Sequence, residues 1–122
     1  MQVGSLPDKK RTGSFEGERD STMEQGLKSA VMVGLGYFAT GAALEILVYI
    51  LEVEHSVDFN SIADNPGALR KGLFAMFGSA GEAVESRICQ AIGMHFRVGS
   101  EGKTLEDLIS MVRFKEFVNG GS

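Results

Sequence analysis

Apolar residues recur along this chain at three- and four-residue intervals, and no segment shows the strict alternation of a half-buried strand. Leu69, Leu73, Met76 and Phe77 fall on one face of a helix. That helix starts at Asn65-Pro66, since proline at the first helical position has no N–H to leave unpaired, and it stops at Gly78. Val84, Ile88, Ala91, Ile92 and Phe96 make the best-specified stripe. Ser79-Ala80-Gly81-Glu82 precedes it and reads as a capping box, while Glu82, Glu85, Ser86, Gln90 and Arg97 are expected mostly on its solvated side. Beyond the polar loop from Gly99 to Lys103, Thr104 can cap a last helix with Glu106 and Asp107 at its positive end. Leu105, Leu108, Ile109 and Val112 are its buried stripe, and Phe114 and Phe117 extend it.

The most apolar stretch, Ser29 to Leu51, carries one charge, Glu45. Its length invites a membrane span, for which about 20 apolar residues suffice. Gly34-Leu35-Gly36 argues otherwise, because paired glycines weaken a helix and a left-handed glycine would end it there. Only 15 residues, Tyr37 to Leu51, would then remain, with Glu45 among them and no cationic cluster at either flank. The stretch therefore reads as two helices. The first opens with a possible capping box, Ser21-Thr22-Met23-Glu24, and the second is apolar nearly all round, so it is either the central helix or half of a dimer seam. The segment His55–Asn65 is rich in turn formers and holds one short turn, anchored by Phe59 and Ile62. The pattern predicts an all-α bundle of four to five helices, at about 22–34, 37–55, 66–77, 80–96 and 105–118, in one domain over 21–119. Residues 1–20 lack an apolar period and are expected to be a disordered tail.

Composition adds limits to this picture. At 122 residues with 43% apolar content, one core is feasible and a second domain is not indicated. A net charge of -4 and a pI near 5.1 argue against a nucleic-acid partner, which needs a basic stripe to displace counterions. The run Asp8-Lys9-Lys10-Arg11 reads as solvated tail. A lone cysteine and a polar N-terminus fit a cytoplasmic protein better than a secreted one.

Candidate chemistry is sparse. Cys89 and His95 are six apart on one predicted helix, hence on different faces, and His55 is remote, so no metal site is expected. Glu82 and Glu85 share a helix face but are expected in a solvated first turn, where they complement the dipole without catalysis. Phe77-Gly78-Ser79-Ala80-Gly81 lacks the lysine and Ser/Thr of a phosphate-binding loop and reads as a helix junction. No catalytic residue and no cofactor is indicated. The distinctive feature is the small-residue, apolar second helix, with Tyr37, Ala43, Leu44, Leu47 and Val48 as the candidate interaction face.

Residues 59–98, with Asn65-Pro66, an apolar helix, the junction Phe77-Gly78-Ser79-Ala80-Gly81-Glu82 and a helix carrying Glu85 and Ile88, resemble the small archaeal helical modules called nitrosopumilus output domains. The resemblance extends to Leu44–Glu54 by pattern and brings no catalytic residues. It implies a regulatory or signal-output role of undefined biochemistry. The apolar face of the second helix leads to the expectation of a regulatory or scaffold-type module acting through protein contacts, with a homodimer or another protein as partner. Two other expectations follow from the residues: a helical carrier of an apolar molecule lined by Phe74, Phe77 and Phe96, and membrane attachment through 29–51.

Overall fold

The protein was analysed as a computed structural model that describes residues 22–121. The expected tail at 1–20, its Lys9-Lys10-Arg11 run and the Ser21 half of the first capping box lie outside the described residues. Among the described residues the chain is all-α, with no strand. Its helices are α1 (22–35), α2 (Gly41–Glu54), α3 (Pro66–Phe77), α4 (Gly81–Phe96) and α5 (Leu105–Gly121). Single 3₁₀ turns occupy Ile62–Asp64 and Gly78–Ala80.

The break between α1 and α2 falls where the glycines stand, but its geometry differs from a left-handed stop. Among the glycines near it, Gly41 has the positive φ, +59°, and Gly34 has a different task. A Cβ on Gly34 would lie 2.6 Å from the Ile88 Cα, so this glycine lets α1 and α4 touch backbone to backbone. Gly26, nearer the start of α1, leaves room for the side chains of His95 and Phe96. The pairing of 26 with 95–96 and of 34 with 88 makes α1 antiparallel to α4. The chain needs 36–40 to turn, so α2 begins at Gly41, four residues later than the pattern predicted.

α3 and α4 form an antiparallel hairpin whose tight end is Gly81 against Phe74. The expected capping box there is absent: Gly78–Ala80 is a 3₁₀ turn, and Ala80 precedes α4 with no side-chain cap. α2 lies on α3, with Leu51 and His55 over Gly72 and Phe38 against Phe77. α2 is thus peripheral and not central, and only Leu47 and Leu51 along it are buried. α5 runs in the same direction as α4. Leu105, Leu108, Ile109 and Val112 are buried as expected, whereas Phe114 and Phe117, predicted to extend that stripe, are 70% and 76% exposed. They follow the last buried turn and point away from α4, and the helix itself continues to Gly121.

Polar contacts finish the ends. Arg97 closes α4 in the left-handed region at φ 60°, a conformation costing about 1 kcal/mol for a residue with a Cβ. Lys115 offsets it by donating from Nζ to the carbonyls of Phe96 (2.8 Å) and Arg97 (3.1 Å). Glu24 reaches across to the 3₁₀ turn, where its Oε1 accepts from the Ala63 N–H at 3.3 Å. Burial raises the Glu24 pKa, against the lowering effect of that bond.

Close approach at Gly34 makes a specific prediction. Gly34→Leu should cost about 2–3 kcal/mol, because α4 backbone cannot yield to a side chain. Gly36→Ala should cost less, since its Cβ would meet only carbonyl oxygens of its own helix end at 3.2 and 3.3 Å. Urea unfolding of both variants measures the difference.

Candidate functional site

Two places on this fold can do something chemical or associative: the outer side of α2, and a groove between α3, α4 and the loop that leads into α5. The groove is built around Glu85. Gly81, Ile88, Cys89 and Ile92, all buried, lie at −4, +3, +4 and +7 from this carboxylate on α4, so the helix carries it into the core. Its side chain is 8% exposed. The expectation that Glu85 shares a solvated first turn with Glu82 is therefore corrected: Glu82 is exposed and Glu85 is not.

Burial of a carboxylate needs compensation, and Glu85 has it from two elements. Oε2 accepts from Arg70 Nε at 2.8 Å and from the Leu105 N–H at 2.9 Å. The second bond satisfies an otherwise orphan N–H at the start of α5 and sets negative charge against that helix's positive end. Thr104 Oγ1, which accepts from the Asp107 N–H at 3.1 Å, completes the cap as the sequence predicted. Arg70 in turn lies over the Phe74 ring, 5.2 Å from its centroid.

These groups border a cavity of about 680 Å³, walled by α3 at Arg70 and Phe74, by α4 from Glu82 to Gln90, and by the loop Ser100–Thr104. Cys89 stands at its back, buried, with its thiol directed to the Lys103 carbonyl at 3.9 Å. Burial pushes the Cys89 thiol up to about 11, with the Glu85 charge adding to the effect and Arg70 opposing it. His95 is exposed and edge-on to Phe96, and His55 packs on Gly72. Among the described residues no three His, Cys, Asp or Glu side chains gather as a metal would require.

The residues singled out as an interaction face, Tyr37 in the turn before α2 and the others on α2, divide between two sides. Leu47 is buried in the chain's own core, Leu44 and Val48 pack half-buried against it, and Tyr37 and Ala43 are exposed. Tyr37 receives the Arg87 guanidinium over its ring at 4.5 Å. The side of α2 left uncovered is instead Ala42, Ile46, Tyr49 and Val53, edged by Glu45 and Glu52. Phe74, Phe77 and Phe96 do not share a cavity: Phe74 faces the groove, Phe77 meets Phe38, and Phe96 meets His95. No described helix is long and apolar enough to cross a membrane.

Compared with known protein families, curated proteins and solved structures, the chain matches none.

The buried groups give two expected outcomes. Glu85→Ala should lower stability in urea by about 3 kcal/mol, because the α5 N–H and the Arg70 guanidinium both lose their acceptor. The folded Cys89 pKa of about 11 lies above the reference value of 9.0, so the thiol's contribution to stability is complete below the lower value and is lost as pH rises through the higher one. Melting curves across that alkaline range should decline, Cys89→Ala should flatten the decline, and iodoacetamide should label the native thiol far more slowly than the unfolded one.

Proposed function

We propose that this chain is a helical protein-interaction module of the cytoplasm, with a regulatory or signal-output role, and that its working surface is the outer face of α2, paired with a second copy. The observation that carries this reading is a stripe of side chains that the described residues leave mostly uncovered: Ile46, Tyr49 and Val53 are 59%, 63% and 59% exposed. With Ala42 they follow the four-three-four spacing of a helix-pairing seam. Large apolar groups held in water on a rigid helix favour association, since covering them releases their hydration. The resemblance of residues 59–98 to archaeal output modules points the same way.

Charge favours one orientation. Glu45 and Glu52 line a single edge of the stripe, and Ala43 and Ile50 line the other. An antiparallel pair of these helices would set Glu45 against Glu52 of the second copy. A parallel two-fold pair sets Glu45 beside Ile50 of the second copy, where its methylenes cover apolar surface and its charge stays in water. One helix pair buries less than a standard interface, so the affinity is micromolar rather than tighter.

Light scattering should therefore return twice the 13.1 kDa chain mass at micromolar concentration and fall toward one chain on dilution. Ile46→Glu should hold the protein monomeric while leaving its circular dichroism unchanged, because that side chain supports nothing in the single copy. A wild-type chain that stays monomeric throughout would remove the pairing reading.

A further inference from the structure

We draw no further inference here: the strongest candidate, the apolar face that Met111, Phe114, Phe117 and Val118 leave exposed on the later turns of α5, carries nothing because nothing in the structure shows what covers it.

Discussion

Glu85 brings a charge into the core where α3, α4 and the start of α5 meet, and the placement of α5 depends on how that charge is answered. Arg70 answers it from α3 and the first amide of α5 answers it from the other side. Neither partner alone would repay the dehydration of a carboxylate, and the helix dipole of α5 adds to the second. Because Leu105 must reach Glu85, the chain leaving α4 cannot simply turn back. It doubles along α4 through 97–104, so that α5 starts level with the early turns of α4 and runs beside it. The same loop lies over Cys89, and that cover raises the thiol's pKa.

At its far end α5 is fastened by cations instead. Lys115 reaches the open carbonyls at the end of α4, and Arg113 donates to the Ala63 carbonyl at 2.9 Å with Asp64 3.8 Å away. These contacts explain how α5 stays docked although its apolar stripe ends at Val112. They also explain why Phe114 and Phe117 stand in water. Past Val112 the neighbouring surface offers backbone carbonyls, which lysine and arginine satisfy and phenylalanine does not.

Small residues serve two purposes on opposite sides of the molecule. Gly34 and Gly81 lie where helices come within backbone contact, and Gly26 and Gly72 lie beneath side chains of a neighbouring helix. The alanines of α2 touch no such neighbour and help to flatten a face that carries Ile46, Tyr49 and Val53. The result is a tightly closed core of α1, α3, α4 and α5 with a peripheral helix laid upon it. An element of that kind can present a contact surface without its loss or gain of a partner disturbing the core.

The sequence alone was enough for the all-α class, the positions of the helices, the division of the apolar stretch near Gly34 and Gly36, the proline start of α3 and the Thr104 cap. Each of these rests on contacts within a few residues, so period and capping chemistry make them legible. Glu85 was legible too, by its spacing from Gly81, Ile88, Cys89 and Ile92, but the usual solvation of glutamate hid it. What local pattern could not supply was which neighbour each face would meet. That α2 is peripheral, that its uncovered side is Ile46-Tyr49-Val53 while Leu47 turns inward, that Gly34 serves contact and not a turn, and that an arginine fifteen positions away answers Glu85 were all decided by the tertiary arrangement. A helix whose every side is apolar gives no preference for one face, and only the shape of the surface it lands on selects the face that stays outside.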